Sequence, residues 1–206
     1  MREMLEKRIV PVAVIEREAD AVPLAEVLLG AGLKVIEVTL RTDAALASIA
    51  RIARECPGIT VGAGTLLDED QVARARDAGA AFGVAPGLNE TVVRKAEAVG
   101  LPFIPGVLTP SEVERAMALG LSILKFFPAE PAGGARMLDA MAGPYAHTGI
   151  SFIPLGGISP ANLGSYLALP IVAAVGGSWF LKKDRIRAGD WDGIGRAARE
   201  AVALAS

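Results

Sequence analysis

The sequence predicts an α/β fold, a single compact (β/α)8 (TIM) barrel with short loops, and three observations predict it. Short apolar runs alternate with amphipathic helical stretches along the whole chain. The runs are continuously apolar, as in parallel strands covered by helices. Gly58, Gly79, Gly100 and Gly120 recur at intervals of 21, 21 and 20 residues, which marks a unit of one strand plus one helix. Eight units in 206 residues leave about 26 residues each, enough for such a barrel. A doubly wound open sheet is the alternative. No linker or change of composition divides the chain, so residues 1–206 are expected to form one domain.

In chain order the strand candidates are Ile9–Ile15, Val35–Leu40, Ile59–Val61, Ala81–Ala85, Pro102–Pro105, Ser122–Phe126, Ser151–Pro154 and Ile171–Val175. Between them lie the helix candidates Asp43–Glu55, Asp68–Ala78, Glu90–Val99, Ser111–Leu119 and Gly134–Met141. Gly32, Gly79, Gly100 and Gly120 each follow a helical stretch directly, where a left-handed glycine turns the chain back toward the next strand.

Composition narrows the function. The chain is 52% hydrophobic, with 21 basic and 23 acidic residues and a net charge of −2. It has neither the charge excess of a disordered chain nor the basic surface that nucleic acid or anionic lipid attracts. One cysteine, Cys56, excludes a disulfide framework. One histidine, His147, excludes zinc sites with several imidazoles and His–His acid/base pairs. An enzyme of this composition must work with Lys, Glu, Asp, Arg, Thr or Ser. The first apolar run, Ile9–Ile15, contains Pro11 and is followed by Glu16-Arg17-Glu18, unlike a signal peptide. Ala140–Leu181 carries no Asp, Glu, Lys or Arg, yet prolines and glycines break it too often for a membrane span. A soluble, cytoplasmic protein is expected.

Catalytic groups in (β/α)8 barrels sit at the C-terminal ends of strands, so polar residues there are informative. In Val35–Arg41, period two places Glu37, Thr39 and Arg41 on one face and Ile36, Val38 and Leu40 on the other. The polar face is expected inside, with Glu37 and Arg41 entering the mouth together; a buried ion pair that closes the barrel is the structural alternative. Lys125 follows Ser122-Ile123-Leu124 and precedes Phe126-Phe127. Desolvation and a nearby Arg41 are expected to lower its pKa, making a neutral amine able to form a Schiff base. Alternatively its stem lies on Phe126 or Phe127 and the ammonium snorkels to water.

Val61-Gly62-Ala63-Gly64-Thr65 ends the third strand, where glycines allow close approach of a ligand and Thr65 offers a hydroxyl; a plain tight loop is the alternative. Gly156-Gly157 and Gly176-Gly177-Ser178 follow the seventh and eighth strands, where such barrels commonly bind phosphate through backbone N–H groups. Both pairs could also be turns. His147 lies in a loop and is expected at the surface, Cys56 has no activating neighbour in sequence, and Trp179 and Phe180 are expected to pack.

Taken in order, Glu37-Val-Thr-Leu-Arg-Thr, Gly62-Ala-Gly-Thr, Ala85-Pro-Gly, Lys125-Phe-Phe-Pro-Ala-Glu, Gly156-Gly-Ile-Ser-Pro-Ala-Asn and Gly176-Gly-Ser-Trp resemble the 2-keto-3-deoxy-6-phosphogluconate aldolases. The resemblance runs from about Ile9 to Leu204, in a family that also covers 4-hydroxy-2-oxoglutarate aldolases. It implies a class I aldolase needing no metal or cofactor, usually a homotrimer, that yields pyruvate from a 2-keto-3-deoxy sugar phosphate. By the same resemblance Lys125 is the Schiff-base lysine and Glu37 the general acid/base. Arg41 and Thr65 would hold the pyruvyl carboxylate, Gly156, Gly157, Gly177 and Ser178 the phosphate, while Pro86 and Phe127 wall the cleft. The chain departs from the family at Leu155, where Pro-Thr-Gly-Gly is usual; the lost hydroxyl bears on how substrate hydroxyls are read. Rival readings are a 2-keto-3-deoxy-6-phosphogalactonate aldolase, and a phosphosugar-binding or isomerase barrel that is no aldolase.

Overall fold

Parallel strands form two sheets. The computed structural model describes residues 5–205. Its strands are β1 (Ile9–Ala13), β2 (Val35–Thr39), β3 (Thr60–Gly64), β4 (Gly83–Val84), β5 (Phe103–Ile104), β6 (Gly106–Val107), β7 (Ile123–Phe126), β8 (Ser151–Pro154) and β9 (Val175–Gly177). One sheet has the order β5-β4-β3-β2-β1-β9 and the other β6-β7-β8, with every pair parallel. The helices are α1 (Ala21–Gly30), α2 (Ala45–Glu55), α3 (Glu69–Asp77), α4 (Glu90–Ala98), α5 (Pro110–Ala118), α6 (Gly134–Ala142), α7 (Leu163–Leu167), α8 (Lys183–Ala188) and α9 (Trp191–Ala205).

The expected single ring of eight strands is interrupted at two places. The fifth strand splits into β5 and β6 at Pro105, which has no N–H for a ladder, although its carbonyl still accepts from Lys125 N–H at 2.9 Å. The last strand lies later than expected. Only Val172 within Ile171–Ala174 bridges, to Phe152 of β8, before β9 pairs with β1 through Val10–Gly176 and Pro11–Gly177. Gly176 and Gly177 therefore belong to a strand rather than to the loop after it.

Helix starts carry visible signals. Asp68 accepts from Gln71 N–H at the start of α3, and Asn89 from Thr91 N–H at the start of α4. Thr109 and Glu112 form a reciprocal capping box on α5, with Pro110 at its first position. Gly32, Gly79, Gly100 and Gly120 adopt φ of 84°, 90°, 65° and 76°, the left-handed turn expected after helices.

Apolar packing separates the two faces of each strand. Ile36 and Val38 of β2, Leu124 and Phe126 of β7, and Phe152 of β8 join the large core that holds the helices. Val10, Val35, Phe82, Val84, Ile104, Ile153 and Ala174 form a second cluster with Leu5. Val35 shares its face with Glu37, and Ile153 is the register partner of Lys125, so this smaller core lies beneath both charged side chains. Among the described residues no helix is long and apolar enough to cross a membrane.

Candidate active site

Glu37 and Lys125 are the two charged side chains that the strands bury most deeply, at 2% and 6% exposure. Glu37 lies mid-strand, paired in register with Val12 of β1 and Gly62 of β3. Lys125 is paired with Gly106 and Ile153. Both line one small cavity, closed at its floor by Val10, Phe82 and Ile104. At about 20 Å³ it has the size that holds roughly one water molecule. Among the described residues the two charges make no direct ion pair, and Glu37 Oε1 is buried without a hydrogen-bond partner. Burial pushes the Glu37 carboxyl above its ordinary range, and the charge of Lys125 pulls it part of the way back.

Lys125 does not snorkel. Its Nζ lies over the ring of Phe127, 4.8 Å from the centroid and within the cation–π range of about 6 Å. The Phe127 ring also reaches Gly156, where an added Cβ would lie 3.3 Å from Phe127 Cδ2. Pro86 meets β6, the strand beside that of Lys125. Its carbonyl oxygen would lie 2.0 Å from a Cβ built on Gly106, the register partner of Lys125. Phe127 thus lies against the lysine amine, and Pro86 against the strand beside it.

Arg41 leaves the end of β2 and is exposed, with no ion-pair partner among the described residues. This removes the alternative of a buried Glu37–Arg41 pair. Thr42, the next residue, donates to Ile15 O at 2.6 Å and ties this turn to the one after β1. Leu40 N–H donates to Gly64 O at 2.8 Å, so Arg41 and Thr65 leave adjacent strands at the same level. Thr65 has φ of 61°, an uncommon strain for a β-branched residue and one that clusters at functional sites.

The glycines of β3 make room for neighbouring side chains. A Cβ on Gly62 would lie 2.2 Å from the Phe82 ring, and one on Gly64 would lie 2.0 Å from Glu37 Oε1. Gly64 is the space into which the carboxylate fits. Gly64→Ala is therefore expected to displace Glu37, destabilising the fold by about 1–3 kcal/mol as an overpacked core residue. Turnover should fall by about 10²-fold, as when a catalytic group moves by an ångström. Thermal melting and steady-state rates check this; wild-type turnover would mean that the carboxylate's position is not critical.

The late glycine pairs also serve as sockets. Gly156 and Gly157 adopt φ of 107° and 79°, so these positions do form the expected turn after β8. Asn162 Nδ2 donates to Gly157 O at 3.1 Å, and Asn162 Oδ1 accepts from Ser159 N–H at 2.8 Å, which braces that turn. Gly177 lies under the Trp179 ring, 1.7 Å from where its Cβ would be. Ser178 follows at the end of β9 and is exposed. Leu155 is half-buried, lines the cavity with Lys125 and Glu37, and lies against Gly176. His147 is exposed, as expected, while Cys56 is buried and its thiol pKa raised. Among the described residues no cluster of His, Cys, Asp or Glu could hold a metal ion.

Parallel strands under a layer of helices, with a lysine and a carboxylate buried across one small cavity, make an α/β protein suited to amine–carbonyl chemistry. The sequence profile of the KDPG and KHG aldolases matches residues 1–197. The KHG/KDPG aldolase of Escherichia coli K12 is 47% identical over 194 residues, 94% of this chain and 90% of that protein. The chain belongs to the KDPG and KHG aldolase family. The crystal structure of the Legionella pneumophila KDPG aldolase, with pyruvate captured as a covalent carbinolamine, superposes with a TM-score of 0.92 at 36% identity. It covers 96% of this chain and 95% of its own. The Zymomonas mobilis aldolase with 3-phosphoglycerate superposes with a TM-score of 0.90 at 40% identity, covering 99% and 97%.

Proposed function

We propose that this protein is a class I aldolase that cleaves 2-keto-3-deoxy-6-phosphogluconate to pyruvate and D-glyceraldehyde 3-phosphate. It also cleaves 4-hydroxy-2-oxoglutarate to pyruvate and glyoxylate. The observation that carries this reading is the pair Lys125 and Glu37, buried on one cavity without an ion pair between them. A structural ion pair would close that gap; a reacting carbonyl needs it open. The carbinolamine of the Legionella relative and the names of both substrates among the relatives support the same reading.

The neutral amine of Lys125 adds to the C2 carbonyl, and the carbinolamine loses water to give an iminium. Glu37, through a water in the cavity, takes the proton of the C4 hydroxyl. The C3–C4 bond breaks as its electron pair moves toward the iminium nitrogen, and the aldehyde leaves. The resulting enamine is protonated at C3, and water then hydrolyses the pyruvyl iminium and frees Lys125. Burial raises the carboxyl above its ordinary range and so favours its proton-holding form, which an acid needs as much as a base needs its free form. Arg41 and Thr65, side by side at the strand ends, hold the pyruvyl carboxylate, and Pro86 and Phe127 confine the bound substrate. Backbone N–H groups of Gly156, Gly157 and Gly177, with Ser178, receive the phosphate.

We further propose that the two sheets are arcs of one (β/α)8 barrel in a single domain. Lys125 N–H to Pro105 O at one junction and the Phe152–Val172 bridge at the other support closure. The family resemblance supports a homotrimer, which light scattering would test.

The reaction is tested by supplying the phosphorylated substrate and coupling pyruvate release to lactate dehydrogenase, with and without EDTA. Release is expected at a kcat of roughly 1–10³ s⁻¹, unchanged by chelation. No release from either substrate, or loss on chelation and recovery with a divalent cation, would end this proposal.

Leu155 shapes selectivity. A threonine at this place in the cavity could hydrogen-bond a substrate hydroxyl, whereas a leucine wall rejects a misplaced hydroxyl only about 10²-fold or less. Weak discrimination between the gluconate-derived and galactonate-derived C4 epimers is expected. Leu155→Thr should change the ratio of kcat/KM for the two epimers by roughly 1 kcal/mol, the worth of a neutral hydrogen bond. An unchanged ratio would assign Leu155 to packing.

A further inference from the structure

Glu130 and Tyr166 lie outside the machinery described above, yet they join its two halves. Glu130 sits five residues after Lys125, in the turn that leads into α6. Its backbone N–H donates to Gly156 O at 2.9 Å, while Ala129 N–H donates to Leu155 O at 2.9 Å. Its stem fills the space beside Gly157, where an added Cβ would lie 2.7 Å from Glu130 Cβ. Tyr166 is fully buried on α7, and its hydroxyl donates to Glu130 Oε1. The same carboxylate oxygen lies against the backbone of Gly134, 3.2 Å from where its Cβ would be. Burial and this carboxylate push the Tyr166 hydroxyl well above its ordinary pKa, so it remains a donor at any working pH.

We propose that Tyr166 and Glu130 are positioning residues that hold the Gly156–Gly157 turn and thereby set the preference for phosphorylated over unphosphorylated substrate. The proposal rests on the reading of that turn as part of the phosphate site. Gly156 and Gly157 both adopt left-handed backbone, a conformation that glycine leaves easily unless neighbours hold it. Asn162 holds the carbonyl of Gly157 from one side. Glu130 holds the turn from the other, through the Gly156 carbonyl and by filling the space beside Gly157. The tyrosine fixes where the glutamate stem lies. It also keeps the carboxylate directed at Gly134 and α7, and so away from the place where a phosphate dianion would sit. Neither residue reaches Lys125 or Glu37, so iminium chemistry is untouched.

Tyr166→Phe removes one hydroxyl and keeps the buried ring. The expected result is a KM for the phosphorylated substrate raised about tenfold, the loss of one charge-assisted hydrogen bond, with kcat nearly unchanged. Inhibition by inorganic phosphate should weaken in parallel. Cleavage of 4-hydroxy-2-oxoglutarate and borohydride trapping of pyruvate should match wild type. Glu130→Gln, which still accepts from Tyr166, should keep the wild-type preference, and Glu130→Ala, which keeps the backbone N–H and Cβ but loses the Cγ beside Gly157 and the carboxylate, should lose it. A wild-type preference for phosphate that survives in both Tyr166→Phe and Glu130→Ala overturns the proposal and leaves the phosphate site standing. Equal losses on both substrates overturn it as a merely structural effect. A wild-type enzyme with no preference for the phosphorylated substrate overturns both readings together.

Discussion

Borohydride added with pyruvate is expected to fix one pyruvyl group to each chain, and peptide mapping is expected to find it on Lys125. Most lysines and arginines among the described residues face water, and Lys125 is the one buried lysine. Its amine opens on the cavity it shares with Glu37, the only place described where a small carbonyl compound would meet a lysine shielded from solvent. Reduction of the iminium makes the bond permanent, which a binding protein or an isomerase would not permit. Lys125→Met should abolish labelling and lower turnover on the order of 10⁴–10⁶-fold, as loss of a catalytic nucleophile does. Labelling at another lysine, or near-normal turnover in Lys125→Met, would defeat the assignment.

Glu37→Gln separates covalent bond formation from proton transfer. The lysine remains, so pyruvate should still be trapped, while C–C cleavage and exchange of the pyruvate methyl protons should slow by about 10²–10⁴-fold. Stability should move the other way. The folded state raises the Glu37 carboxyl pKa, so its contribution to stability is fully present below the ordinary carboxylate pKa of about 4.3. That contribution is lost as pH rises through the raised folded value, because an ionised carboxylate must then stay buried. Glutamine carries no such cost. The melting temperature of Glu37→Gln should therefore gain on wild type as pH rises from 4 to 8, with Lys125 limiting the gain. A gap that does not change with pH would mean that Glu37 titrates as an ordinary surface acid, and unchanged cleavage that it is not the base.

Much of this was legible because strands alternate. Period two in Val35–Arg41 put Glu37 on the face opposite Ile36 and Val38, and the two cores divide in that way. Lys125 stood out as a charge inside an apolar strand. What the sequence hid lies in contacts between distant segments. Gly62, Gly64 and Gly177 carry no local sign that Phe82, Glu37 and Trp179 fill the space where their side chains would be. Nothing local distinguishes a glycine that admits a ligand from one that admits a side chain. Pro105 was read as a strand end, although the chain resumes pairing one residue later. Glu130 and Tyr166 stand 36 positions apart, and no periodicity links them. The five-residue α7 is too short to leave a helical pattern.

The pairing of Glu37 with Val12 on one side and Gly62 on the other makes the site a matter of parity. Insert a single residue ahead of it in β2 and every side chain changes face. The carboxylate would then point among the helices, and an isoleucine would point at Lys125. Two inserted residues would return the original faces at the cost of a shifted ladder. The loops that join strands to helices tolerate such changes, because their side chains do not aim at the cavity. In lineages of this enzyme, then, length should vary freely between the strands and almost never within β2 or β7.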